Sequence, residues 1–237
     1  MPSYQVMLGQ RKQPYQIIQL SDLHIGIFIG ARYIEKVVQK INAAAPDMVV
    51  ITGDIFNNGA MDECASLDRI QAALRGIHSK DGVFAVLGNH DPSATDSEVA
   101  AFFSGANIHL LRDETFETPL FTLIGRKDVL RSSDRTDMAR LSSLAPSAQP
   151  IVVLDHNPSG IREAAMNGAD LVLCGHTHKG QMIPFPFFTR LFHDDGCFYG
   201  HSLFGKTQAI ISAGTGYFQL PVRIGTNSEI VQIYAEF

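Results

Sequence analysis

Six short apolar runs limit what this chain can fold into. They are "IIQLSD" (17–22), "MVVITGD" (48–54), "GVFAVLGNH" (82–90), "FTLIG" (121–125), "IVVLDH" (151–156) and "LVLCGH" (171–176). Each is rich in β-branched residues, too short for a helix and followed by turn formers, as a buried strand should be. Between the first two, Ile34, Val37, Val38 and Ile41 recur at helical spacing, and Pro46 closes that helix. Segments 61–75, 96–104, 136–144 and 160–167 read as further helices. The alternation implies an α/β layered fold with parallel strand pairs. Past residue 205 the pattern changes, and "QAIISAGTG", "PVRIG" and "EIVQIYAEF" suggest an antiparallel finish. No repeat, low-complexity tract or linker interrupts residues 1–237, so a single domain is expected.

Composition narrows the function. Hydrophobic residues make up 45% of the chain and charged residues 18%, which excludes a disordered chain. The net charge of -5 disfavours a duplex nucleic-acid binder, which needs a basic face. Cys64, Cys174 and Cys197 are odd in number and widely spaced, unlike a disulfide framework or a zinc knuckle. They favour a reducing compartment. No apolar run reaches the ~18–20 residues that span a bilayer, and "MPSYQVMLGQRKQPYQ" has no signal-peptide core. The expected location is cytoplasmic, with room for peripheral membrane contact and for an anchor removed ahead of Met1.

Five of the runs end in groups that can ligate a metal: Asp22-Leu23-His24, Gly53-Asp54, Gly88-Asn89-His90-Asp91, Asp155-His156-Asn157-Pro158 and Gly175-His176-Thr177-His178. Singly, each has a plain alternative. Asp-x-His can cap a turn, Gly-Asp is common after strands, and Asn and Asp are ordinary turn formers. Alternate residues of an extended backbone point to opposite faces, so two ligands in "GHTH" need a local bend, which the glycine would permit. Ligands in open α/β sheets bind outside the carboxyl ends of the strands, where these groups would converge. Asp, Asn and His without cysteine suit Mn, Fe, Zn or Co. Asp22, His24, Asp54, Asn89, His156, His176 and His178 are too many for one tetrahedral ion and enough for two, if one carboxylate bridges. Two such ions form the usual clamp for in-line displacement at phosphorus.

The set "SDLHIG", "GDIFNNG", "GNHD", "LDHNP" and "GHTHKGQ" resembles the five signature blocks of the calcineurin-like metallophosphoesterases. The tail is similar to a bacterial subgroup of small phosphodiesterases, the YkuE-like and YaeI-like proteins, some of which act on membrane-associated or lipid-precursor phosphodiesters. The resemblance implies a layered sandwich of central mixed β-sheets flanked by helices, with the site at the C-terminal ends of strands. It implies that Asp22, His24 and His178 hold one divalent ion, that Asp54 bridges, and that Asn89, His156 and His176 complete the second. His90 would face the substrate, stabilising phosphoryl charge or protonating the leaving oxygen, as a histidine beside two cations can at neutral pH. Asp91 would orient His90 or cap a turn, with the turn favoured.

Three positions depart from the pattern. Asn57 stands where the family has a second carboxylate, and an amide would not raise a partner histidine's basicity in the same way. Lys179 replaces a frequent glycine and would contact substrate phosphate or be solvated. Ala213 sits where a basic residue is expected in the subgroup, and Lys179 would be the compensating charge.

The stretch 182–205, "MIPFPFFTRLFHDDGCFYGHSLFG", supplies hints about substrate. Phe185, Phe187, Phe188, Leu191 and Phe192 either tuck beneath the sheet or form an apolar lip that admits acyl chains or rests on a bilayer. Arg190 would suit an anionic headgroup, and His193 and His201 are expected in turns rather than as ligands. The expected function is therefore a two-metal phosphoesterase, and a phosphodiesterase in particular, acting on a small or lipid-linked phosphoester with no nucleic-acid partner. The alternatives are a nuclease of the same superfamily and a catalytically silent binding scaffold on this fold.

Overall fold

The structure is a computed structural model that describes residues 1–9, 13–57, 61, 66–92, 97–185 and 197–237. The strands are β1 (Ser3–Met7), β2 (Pro14–Leu20), β3 (Met48–Thr52), β4 (Val83–Val86), β5 (Ile108–Leu110) and β6 (Glu114–Glu117). They continue with β7 (Thr122–Gly125), β8 (Ile151–Leu154), β9 (Leu171–Cys174), β10 (Gly200–Phe204), β11 (Thr207–Ile211) and β12 (Val231–Glu236). The helices are α1 (Ala31–Ala44), α2 (Leu67–Arg75), α3 (Ser97–Gly105), α4 (Met138–Ser143) and α5 (Ile161–Met166).

Two six-stranded sheets form, in the orders β1-β12-β2-β3-β4-β5 and β10-β11-β9-β8-β7-β6. Both are mixed. β2 to β5 run parallel, as do β7, β8, β9 and β11, and antiparallel pairs occur at β12–β2, β6–β7 and β10–β11. The layered α/β fold expected from the strand–helix alternation, and the sandwich that the resemblance implied, are thus present. Every residue of β3, β4, β7, β8 and β9 is buried, because each central strand is covered on both faces.

The period-2 alternation sorts side chains into layers. Ile17, Val50, Phe84 and Val86 face Leu123, Val152, Leu154 and Leu173 between the sheets. The alternate residues Ile18, Leu20, Val49 and Ile51 pack outward under α1, α2 and α3 through Ile34, Ile41, Ile70 and Phe103. On the other outer face, Val153 and Val172 meet Met138, Leu141 and Ile161 of α4 and α5. Each fully buried side chain contributes about 1.5–3 kcal/mol, so a charge placed at Val50 or Leu154 would split the sandwich.

The edges differ from the sequence reading. β1, β5, β6 and β10 carry no long apolar run and were not expected. "PVRIG" is not a strand; within it only Ile224 forms a bridge, to Met182. It sits at the rim without a sheet neighbour, so its apolar residues are exposed. The finish is mixed rather than antiparallel, since β11 pairs parallel with β9 and β12 parallel with β1. α2 begins at Leu67 and not at 61; Met61 lies in a bend, and 62–65 lie outside the described residues. Cys174 and Cys197 are buried, while Cys64 lies outside the described residues. No helix among the described residues is long and apolar enough to cross a membrane.

Candidate metal centre

The carboxyl ends of β2, β3 and β4 from one sheet meet those of β8 and β9 from the other. Past the end of β2, the chain stays tied to that after β3 by Asp22 N–H to Gly53 O at 2.9 Å and His24 N–H to Asp54 O at 2.9 Å. The sheets are joined at this end by His176 N–H, which donates to Asp22 Oδ1 at 3.1 Å, and by Gln19 Nε2, which donates to Cys174 O at 2.8 Å.

These contacts leave little room. A Cβ on Gly175 would overlap Ser21 Oγ and Asp22 Oδ2, and one on Gly88 would overlap Asp54 Oδ1. Gly175 is therefore needed for close approach. The bend expected from it is made instead by the histidines, with φ of 73° at His176 and 50° at His178. Asp22, His24 and Asp54 share this left-handed backbone, at φ of 51°, 47° and 50°. Non-glycine residues adopt it at a cost of about 1–3 kcal/mol each, so the folded sandwich holds five ligand candidates in a conformation that they would not choose.

Two groups result. Asp22, His24 and His178 place one ligand atom each within 4.8 Å of one another, and Asp54, His156 and His176 do the same. Asp54 Oδ2 lies 3.2 Å from His156 Nε2 and 3.8 Å from His24 Nε2, so it reaches both groups. Asn89 Oδ1 is 3.2 Å from His156 Nε2. His24 Nε2 and His178 Nε2 face each other at 3.0 Å, and His176 Nδ1 faces His156 Nε2 at 3.2 Å. Ring nitrogens and carboxylates that converge in this way, nearly all buried, suit divalent cations. The seven expected ligands are brought together.

The two groups differ in protonation. Burial pulls His24 down to about 4, against the opposing pull of Asp54. Burial, with His24 and Arg223 nearby, holds His178 well below the usual range. Both rings are neutral near pH 7, the form that binds metal. Burial also opposes charge on His156, but the Asp54 carboxylate overrides it and pushes His156 up to about 10. Asp54 would be raised by its burial, yet His156 holds it below the ordinary carboxylate range. Burial lifts Asp22 to about 7.

Supporting residues fix the rings. His156 Nδ1 donates to Thr52 O at 2.8 Å, which turns Nε2 toward Asp54. His24 Nδ1 and Asn57 Oδ1 are both buried without a hydrogen-bond partner, although the Asn57 amide still raises His24 slightly. Asp91 settles its own question: it accepts from Gly88 N–H at 2.8 Å and Phe56 N–H at 2.7 Å, which caps the turn and stitches two loops together. His90 belongs to neither group. Its N–H donates to Asp54 Oδ1 at 2.8 Å, and its partly exposed ring stands 5.4 Å from that of His24.

Sequence reasoning missed Phe218, Gln181 and Arg223. The Phe218 ring packs on His24, His90 and His178 at 5.7, 5.1 and 5.7 Å. Gln181, the last residue of "GHTHKGQ", clamps its backbone by accepting from Phe218 N–H at 2.7 Å and donating to Phe218 O at 2.9 Å. Arg223 donates to Ala213 O at 2.7 Å and to His178 O at 3.2 Å. The cation expected at Ala213 is therefore delivered from ten residues further on. Lys179 does not take that place, because its Nζ lies 3.9 Å over the Tyr199 ring. Only the run of "GHTHKGQ" to its final Gln could have pointed to this network. Arg190, His193 and most of the aromatic stretch lie outside the described residues. His201 is on β10, packed on Tyr4, and not in a turn.

A two-sheet α/β sandwich with two ligand groups joined by one carboxylate defines a class of metal-dependent phosphoesterases. Residues 15–180 match the family model described as calcineurin-like phosphoesterase, and the chain belongs to that family. An uncharacterized metallophosphoesterase of Campylobacter jejuni is 30% identical over 235 residues, covering 97% of this chain and 61% of its own length. The chain thus spans about three fifths of that relative. The uncharacterized metallophosphoesterase YkuE of Bacillus subtilis is 27% identical, over 91% of this chain and 77% of its own length. The crystal structure of a dimetal phosphatase from Danio rerio has the same fold, with a TM-score of 0.55 at 13% identity, covering 84% of this chain and 87% of that one.

Proposed function

We propose that the chain is a two-metal phosphodiesterase that hydrolyses a small or lipid-linked phosphoester. The observation that carries this reading is Asp54, whose Oδ2 reaches both ligand groups while its Oδ1 fixes the backbone of His90. Asp22, His24 and His178 would hold one divalent ion, and His156, His176 and Asn89 the other, with Asp54 shared. Such a pair supplies an activated water and neutralises phosphoryl charge. His90, outside both ligand groups, would protonate the leaving oxygen as the P–O bond breaks. The Phe218 ring packs on those of His24, His90 and His178.

The lipid-linked part rests on the rim. Ile27 and Phe28 follow His24 and are 77% and 57% exposed. Ile183, Phe185, Leu220, Val222 and Ile224, on the loops beyond His178 and Phe218, are exposed as well. Ile183 N–H donates to Ile224 O at 3.0 Å, which joins two of these loops into one apolar edge suited to acyl chains or a membrane surface. Arg190 and Lys179 are proposed as headgroup contacts.

The test is hydrolysis of bis(p-nitrophenyl) phosphate and p-nitrophenyl phosphate by chelator-stripped protein with Mn added back. Mn-dependent release, faster from the diester, is expected. No release from either by protein carrying two metals would overturn the reading. Activity that rises on liposome-borne phosphodiester would support the lipid-linked assignment, and indifference to liposomes would oppose it.

A further inference from the structure

Beside the metal centre lies a pocket of about 220 Å³ that the ligand groups do not use, lined by Gly88, Arg112, Lys127, Asp128, Arg131 and others. Gly88 is the shared wall, since its other side abuts Asp54 Oδ1. Arg131 leans over the same loop, with Nη1 3.5 Å from Asn89 O.

The charges in this pocket are unevenly paired. Arg126, at its base, is buried and paired with Asp113 at 3.1 Å. Lys127 pairs with Asp134 at 2.8 Å, but Asp134 is 77% exposed, so that pair is weak and exchangeable. Arg131 makes only the long contact to a carbonyl among the described residues and has no carboxylate. The wall also holds an acceptor, Asp128, which is 3% exposed. Its Oδ1 takes Leu130 N–H at 2.9 Å, while Oδ2 is buried with no partner. The Arg131 fork and the exchangeable Lys127 ammonium are left to meet an anion.

We propose that this pocket binds a terminal phosphoryl group of the substrate, separate from the ester held at the metal centre, so that the preferred substrate is a phosphodiester that also bears a phosphomonoester. The proposal rests on the phosphodiesterase reading and names its substrate class further. Arg131 and Lys127 would hold the phosphoryl oxygens.

Two measurements test it. Titration calorimetry of inorganic phosphate into the metal-stripped chain should show one site, weakened at least tenfold in Arg131→Ala and partly restored in Arg131→Lys. Arg131 is exposed, so these variants should fold. For the loaded protein, kcat/KM on thymidine 3′-phosphate 5′-(p-nitrophenyl phosphate) should exceed that on thymidine 5′-(p-nitrophenyl phosphate) more than tenfold, and Arg131→Ala should bring the ratio toward one. No phosphate site in the metal-stripped chain, or a ratio well above one that Arg131→Ala leaves unchanged, would overturn the subsite. Phosphate binding that depends on Arg131, with a ratio of one, would make free phosphate the ligand and overturn the substrate assignment. Failure of the phosphodiesterase reading would look different, as neither ester would be cleaved while calorimetry still reported the site.

Discussion

The two ligand groups are built from the same residue types and prepared differently. In the group of Asp22, His24 and His178, burial has already removed the protons from both rings. In the group of Asp54, His156 and His176, a carboxylate keeps His156 charged, so an arriving cation must displace a proton. In the first group only Asp22, lifted to about 7, still has a proton to lose, whereas the second is held shut by an internal ion pair. Filling should then be ordered, with the Asp22 side first and the Asp54 side later and more steeply dependent on pH.

Asp54→Ala should erase the contrast by disabling both groups. Each 1.36 kcal/mol lost is tenfold in rate, and the metals supply several kcal/mol, so a fall of about 10³-fold or more is expected, with metal analysis showing occupancy lost. His90→Ala should keep two metals per chain and lower kcat by about 10²–10⁴-fold. Equal metal loss in both variants would remove His90 from its place outside the ligand set. Asn57→Asp should sharpen the difference by setting a carboxylate in place of the amide beside His24, and tighten metal binding about tenfold, read by competition with a chelating dye.

The smallest effect is on thermal stability. A raised pKa in the folded chain stabilises it fully below the unfolded value, and that contribution is lost as pH rises through the folded value. For Asp22 the loss falls between its ordinary range near 4 and about 7, and for His156 between its ordinary range near 6.5 and about 10. His24 and His178, held below their ordinary range, act in the opposite sense up to about pH 6.5, so metal-free protein should lose stability from pH 7 to 9. Metal-loaded protein should not share that loss, because its ligands are already deprotonated. The gap in Tm between the two should widen with pH, by roughly 2–4 °C per kcal/mol. A gap that is flat or narrows would reverse the protonation scheme.

The central strands and the residues at their ends were legible because strands buried on both faces need unbroken apolar runs, and the ligands follow those runs directly. The edges were not. β10, with a burial pattern alternating along GHSLF, and β6, with none of its four residues buried, leave no such run. Phe218 and Arg223 escaped for another reason. They act through a loop without periodicity, pinned by Gln181 from a distant segment, and nothing in "YFQLPVRIG" itself declares that tether. The bend in "GHTH" was anticipated but given to the wrong residue, because tight packing and left-handed backbone both call for glycine and the sequence does not separate them.

The strained backbone at Asp22, His24, Asp54, His176 and His178 bears on how such a chain would drift once its chemistry was no longer under selection. Glycine or asparagine at any of these sites would relieve the left-handed conformation and make the fold more durable. Decay here would look like improvement: a lineage retired from catalysis would become harder to melt, and heat resistance in a relative carrying Gly or Asn at these positions would mark lost activity rather than refinement.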